Sequence, residues 1–281
     1  MGLQCDTTLG MVMDEMGLVG SSLHDDLWHA VRERMSRAHL LCGPPGSGKT
    51  SAGIAVARAV TGVWPVVVSL DGETMSRELR ERVSIVDWST RVEPGPLVKA
   101  LREGRVILIN EWSTATADVR ALVLAFRDNP SQIPDLLDEG DLIDLEQSPF
   151  CIIATENVES GVACRRNTQR EAAIRSGFMV WEFGKAPVAK WLRGNYPHAD
   201  QELVDWVVET FDEFADISEE KDDPERLQLC YRNARLLMEA VTKGLSRRRA
   251  IEVALVNHYI WRESLHKTAR DLLDLHAPAE A

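Results

Sequence analysis

Residues 43–50 read Gly-Pro-Pro-Gly-Ser-Gly-Lys-Thr, the pattern G-x-x-x-x-G-K-T. Glycines at this spacing let backbone N–H groups converge on phosphate oxygens, and a helix opening behind them adds the positive end of its dipole. Gly43, Pro44, Pro45, Gly46, Ser47, Gly48, Lys49 and Thr50 are therefore assigned to a phosphate cradle. In such a loop the lysine reaches the β- and γ-phosphates of ATP and the hydroxyl ligates Mg²⁺, which gives those tasks to Lys49 and Thr50. A second polar site is expected where a neighbouring strand ends. The run Val106-Ile107-Leu108-Ile109 ends at Asn110-Glu111. The usual pair there is Asp-Glu, the Asp ordering the Mg²⁺ shell and the Glu activating the attacking water. Glu111 is present, and Asn110 is assigned with Thr50 to the Mg²⁺ site, where its amide can hydrogen-bond a metal-bound water but supplies no negative charge. A third run, 150–155, leads into Glu156-Asn157. Asn157 is placed to touch both a γ-phosphate and the water.

These residues need a scaffold that brings several strand ends together. Five apolar runs qualify as strands, at about 38–42, 65–70, 106–109, 150–154 and 178–183. Helical spacing separates them, over about 50–60 and 117–127. Leu23, Leu27, Ala30, Val31 and Met35 form one further helix stripe behind a Ser cap. Continuous apolar strands alternating with helices predict an α/β fold with a parallel sheet covered on both faces. After residues 184–187 only helices are expected, over about 187–194, 200–215, 226–242 and 246–274. Residues 1–20 are Met-rich and Gly-punctuated without a clean period, and read as an arm or a first helix.

The chain has 281 residues, roughly two domains' worth, and a net charge of −12. That balance disfavours a nucleic-acid binder, which needs surplus Lys and Arg; Arg247-Arg248-Arg249 is the exception that leaves a small opening. Residues 209–225 carry nine acidic residues and one Lys, and 226–249 seven basic residues and one Glu. Either these are solvated faces or the basic helix faces an anionic ligand. No apolar run reaches 18 residues, so no membrane span is expected. The first residues show neither a signal-peptide core nor a myristoylation signal. Cys5, Cys42, Cys151, Cys164 and Cys230 are scattered, as reduced cytoplasmic thiols are, and the seven histidines lack ligand spacing.

Taken together, four stretches resemble an AAA+ ATPase of the MoxR/dynein-related branch, which includes CbbQ/NirQ and gas-vesicle GvpN types. They are 40–50, with the strand and phosphate loop; 93–111, with Gly95-Pro96-Leu97 leading to Asn110-Glu111; 150–157; and 172–192. The resemblance implies a P-loop AAA+ core with a five-stranded parallel sheet flanked by helices, plus a C-terminal all-helical lid. Its boundaries would be an arm at 1–22, the core at 23–184, the lid at 185–270 and a tail at 271–281. It implies a ring, usually hexameric, with ATP and Mg²⁺ between subunits, and a client or von Willebrand A-type partner protein. Glu111 would be the base, and Asn157 and Arg232 would sense the γ-phosphate, with Arg235 the alternative to Arg232. The finger supplied by a neighbouring subunit is assigned to Arg175, because Gly177 stands at the usual position; Arg165, Arg166 and Arg170 compete. Two inserted hairpins are implied, at about 83–93, including Trp88, and 133–147. Trp88 is either a substrate contact or a packed surface anchor. Because Asn110 and Gly177 depart from the hydrolysis motifs while the binding residues are intact, turnover is expected to be slow or absent in an alternative reading, with the ring acting as a scaffold or switch.

Overall fold

The computed structural model describes residues 8–86, 88–128, 148–157, 177–184, 188–217, 229–259 and 263–276. Two compact units divide the chain: one holds Met1–Gly43 and Gly48–Gly184, the other Pro44–Ser47 and Lys185–Ala281.

The first unit is built on five parallel strands: β1 (Ala38–Gly43), β2 (Val66–Ser69), β5 (Val106–Asn110), β6 (Cys151–Asn157) and β7 (Met179–Glu182). Their spatial order is β2-β5-β6-β1-β7, so all five runs expected from the sequence form one sheet. The strands are apolar along both faces because helices cover both. Leu40, Ile107, Ile109, Ile152 and Ala154 point into one core with Leu97, Leu101, Trp112, Val119 and Val123. The alternate residues Leu41, Leu108 and Ile153 point into the opposite core, with Val12, Leu27, Val31, Ala52 and Val56. This is the two-residue period of a strand sorting side chains between two layers. The second layer is made by α1 (Leu9–Glu15), α2 (Ser22–Arg32) and α3 (Lys49–Thr61). The arm region thus contributes a helix that buries Leu9, Val12 and Met13. Helix α3 lies close to the sheet at Gly53, where a Cβ would come 2.8 Å from Leu108 Cδ1.

On the other face, α4 (Ser76–Arg80) and α5 (Pro96–Arg102) bracket an antiparallel hairpin of β3 (Glu81–Val86) and β4 (Ser89–Pro94). The hairpin lies where the resemblance implied one. The other implied hairpin, at 133–147, lies outside the described residues. Helix α6 (Ala117–Asp128) follows β5 through a 3₁₀ turn, Trp112–Thr114.

The second unit is helical: α7 (Val188–Asn195), α8 (Gln201–Ile217), α9 (Tyr231–Thr242), α10 (Arg247–Ala254) and α11 (Glu263–His276). Its own core gathers Leu192, Val207, Phe214, Leu237, Met238, Ile251 and Leu255. The single helix expected over 246–274 is broken after Ala254 by a 3₁₀ turn, Val256–Tyr259. The Asn233 amide donates to the Ala254 carbonyl at 3.0 Å, where α10 ends.

His39 on β1 is fully buried. Trp181 Nε1–H donates to His39 Nδ1 at 3.1 Å, so the ring proton sits on Nε2 and is donated to the Ser36 carbonyl at 3.0 Å. Burial pushes its pKa down from 6.5 to about 4. Between those values the unfolded chain takes a proton that the native ring refuses. Stability is therefore full above pH 6.5 and is lost as the pH falls toward 4. Urea unfolding should show wild type losing about 2 kcal/mol more than His39→Gln between pH 7 and pH 5. Equal losses would mean that His39 does not titrate differently on folding.

Candidate phosphate-binding site at the strand tips

The site begins with a strand, a loop and a helix. Strand β1 ends at Gly43, and α3 opens at Lys49 with Gly48 as its cap residue. Gly46 and Gly48 adopt φ of 72° and 89°, conformations that a side chain disfavours. No side-chain hydrogen bond caps the opening of α3, the end of a helix that favours an anion. Lys49 is 5% exposed, and its Nζ donates to the Gly43 carbonyl at 2.9 Å. The strand end thus holds the ammonium at the root of the loop.

Register brings the remaining groups to the same ends of neighbouring strands. Ser69 on β2 lies level with Asn110 on β5, and Gly43 on β1 level with Asn157 on β6. Two hydrogen-bonded clusters result. In the first, Thr50 Oγ1 donates to Asn110 Oδ1 at 3.0 Å, joining the loop's hydroxyl to the end of β5. Thr155 Oγ1 donates to the same oxygen at 3.1 Å, and Asn110 Nδ2 donates to Ser69 Oγ at 3.5 Å. In the second, Asn157 Nδ2 donates to both carboxylate oxygens of Glu111, at 3.2 and 3.1 Å. Three of the strand-tip residues singled out in the sequence, Asn110, Glu111 and Asn157, thus lie in contact with Thr50 or with one another.

Glu111 sits in left-handed geometry, φ 59° and ψ 47°. A non-glycine residue held there stores about 1 kcal/mol or more, which persists only where the surroundings impose it. They do: the Glu111 carbonyl accepts from both the backbone N–H and the hydroxyl of Thr114, at 2.9 and 2.8 Å. Trp112, the next residue, is buried against Phe178 with ring centroids 5.2 Å apart. The strain aims the carboxylate toward Asn157 while its neighbour anchors the chain.

Sequence reasoning passed over Thr155 and Ser69. A hydroxyl after the apolar run Ile152-Ile153-Ala154 was the available signal for Thr155, but its partner depends on strand register. Burial pushes the Cys151 thiol up to about 12, which leaves it inert.

In the helical unit, Cys230 precedes α9, and its N–H donates to Asn233 Oδ1 at 3.1 Å. Arg232, in the first turn, is exposed, and no described residue pairs with it. Arg235, the alternative, is engaged with Glu239 at 2.7 Å. Arg175 and its competitors Arg165, Arg166 and Arg170 lie outside the described residues. The Arg247–Arg249 run is occupied locally: Arg247 stacks over Trp206, Arg248 pairs with Asp274 and Arg249 with Glu252. Among the described residues no group of three or more His, Cys, Asp or Glu side chains could hold a metal, and no helix is long and apolar enough to cross a membrane.

Residues 38–178 match the AAA domain family, dynein-related subfamily. A Lon protease of Salinispora arenicola is 37% identical over 147 residues, covering 49% of this chain and 18% of the protease. A closed-state reconstruction of Hsp104 with ATPγS and FITC-casein covers 90% of this chain and 45% of its own, at 18% identity and a TM-score of 0.43. The chain thus spans less than half the length of either relative.

Proposed function

We propose that this chain, which belongs to the AAA domain family of the dynein-related subfamily, binds ATP with Mg²⁺ and hydrolyses it to remodel, mature or activate a partner protein. The observation that carries this reading is the double cluster at the strand tips, Thr50 with Asn110 beside Glu111 with Asn157. In this reading residues 23–184 are the nucleotide-binding core and 185–270 a lid.

The donor set fits the cation. When the Thr50 hydroxyl gives its proton to Asn110, its lone pairs are left to face Mg²⁺. Bound there, Mg²⁺ would neutralise charge on the β- and γ-phosphates. The chain's own residues do the rest. The α3 N-terminus and Lys49 hold the phosphates. Glu111 takes the proton of the attacking water, using the carboxylate lone pairs that Asn157 leaves free. Asn157 fixes the carboxylate's direction and reads the γ-phosphate. By the family resemblance, Arg232 and, from a neighbouring subunit of a hexameric ring, Arg175 would complete the charge balance.

The hairpin is suited to the partner. Val83 and Val92, directly opposed across its strands, are both exposed. Trp88 at its turn is 100% exposed and has a φ of 60°. Packing within the subunit therefore does not account for this aromatic, which favours a contact with a client or a von Willebrand A-type protein. MoxR type is the finer assignment that we favour within the family.

A second reading, a ring scaffold that scarcely hydrolyses ATP, is favoured by the neutral side chain at Asn110. Phosphate release under saturating Mg·ATP separates the two. The ATPase reading expects turnover above about 10⁻² s⁻¹, the level P-loop sites reach with an arginine in place. Nucleotide binding with turnover well below that level would establish the scaffold.

A further inference from the structure

The sequence places an uncharged residue where an acid usually stands, and the structure shows how it is used. A carbonyl oxygen has two lone pairs, and both on Asn110 Oδ1 are taken, by the hydroxyls of Thr50 and Thr155. The other end of the amide can only donate, and it faces Ser69 Oγ. Asn110 therefore has no acceptor left for a metal-bound water. Thr155 is 5% exposed and lies one position beyond the Ile109–Ala154 register pair, so its hydroxyl is held level with the amide. Rotating the amide would bring Nδ2 onto the two threonines and break both hydroxyl donations.

We infer that Asn110 acts by orienting the Thr50 hydroxyl rather than by holding the Mg²⁺ shell, and that Thr155 is the positioning residue that fixes Asn110 in that role. The inference rests on the nucleotide-site reading above. Its chemistry is a relay of hydrogen bonds: Thr155 pins the amide oxygen, the oxygen accepts the Thr50 proton, and the Thr50 lone pairs turn toward the cation. The arrangement serves a neutral amide, because one fixed oxygen does the work that two charged oxygens would share in an acid.

The test is the Mg²⁺ dependence of binding a non-hydrolysable ATP analogue, followed by calorimetry. Thr155→Val keeps the shape and removes the donor. It should raise the Mg²⁺ concentration for half-maximal enhancement about fivefold, the ordinary weight of one hydrogen bond. Affinity without Mg²⁺ should not change, since the phosphate cradle is intact. Thr155→Ser should restore the wild-type curve. Asn110→Ala should shift the curve in the same direction, and adding Thr155→Val to it should produce no further shift, because Thr155 acts only through Asn110. If Thr155→Val fails to fold, Thr155→Ala is compared with Thr155→Ser in its place. An unshifted curve, equal shifts for Val and Ser, or additive effects in the double variant would each overturn the assignment. Failure of wild type to bind the analogue, with or without Mg²⁺, would instead remove the nucleotide-site reading on which it stands.

Discussion

Lys49→Ala is expected to bind ATP roughly tenfold to more than a hundredfold more weakly than wild type, since a hydrogen bond to a charged partner is worth about 1.5–3 kcal/mol. Lys49 is the cation at the opening of α3, and it is held at the root of the loop by the Gly43 carbonyl. The loop's backbone N–H groups would align a bound phosphate but bring no full charge. The variant should fold, because the sheet and its two cores do not depend on the ammonium. Calorimetric titration with ATP, alongside thermal unfolding, checks both points. Unchanged affinity would refute the assignment of residues 43–50 to phosphate binding.

Glu111→Gln should retain ATP affinity within about twofold and lose 10²- to 10⁴-fold in turnover, the usual weight of a general base. The amide matches the carboxylate in shape but cannot take the water's proton. The backbone that presents it, held in left-handed geometry by Thr114 and anchored by Trp112, is unaffected by the change. Asn157 donates to both oxygens of Glu111, and one of these becomes an NH₂ group in the variant, so one of the two contacts is lost. Phosphate-release kinetics check the expectation. Wild-type rates in the variant would mean that Glu111 is not the base.

What the sequence made legible follows from what is local. The five strands are apolar runs short enough to be strands and continuous because both faces are buried. Leu40 and Leu41, adjacent in sequence, end in opposite cores. The phosphate loop is legible because its glycines and lysine act through covalent spacing, and α3, expected over about 50–60, spans Lys49–Thr61. Residues whose role comes from a neighbouring strand were harder to find. Thr155 and Ser69 take part only because β6 and β2 flank β5 in one particular register, which no window of sequence contains. The break after Ala254 has no Gly or Pro at 255–262 to mark it, and the Asn233 amide that meets the carbonyl there comes from 21 residues earlier. The left-handed Glu111 and Trp88 carry no glycine to mark them, and their conformations come from the segments they join.

The central claim, that the strand-tip cluster holds ATP and that Glu111 starts its hydrolysis, is tested most directly by the nucleotide each protein carries. Wild type and Glu111→Gln are incubated with Mg·ATP, passed rapidly through a desalting column and denatured, and the released nucleotide is separated by chromatography. The account predicts ADP from wild type and intact ATP from Glu111→Gln, at about one nucleotide per site in both. The same ATP-to-ADP ratio from the two proteins, or no nucleotide from either, would contradict it.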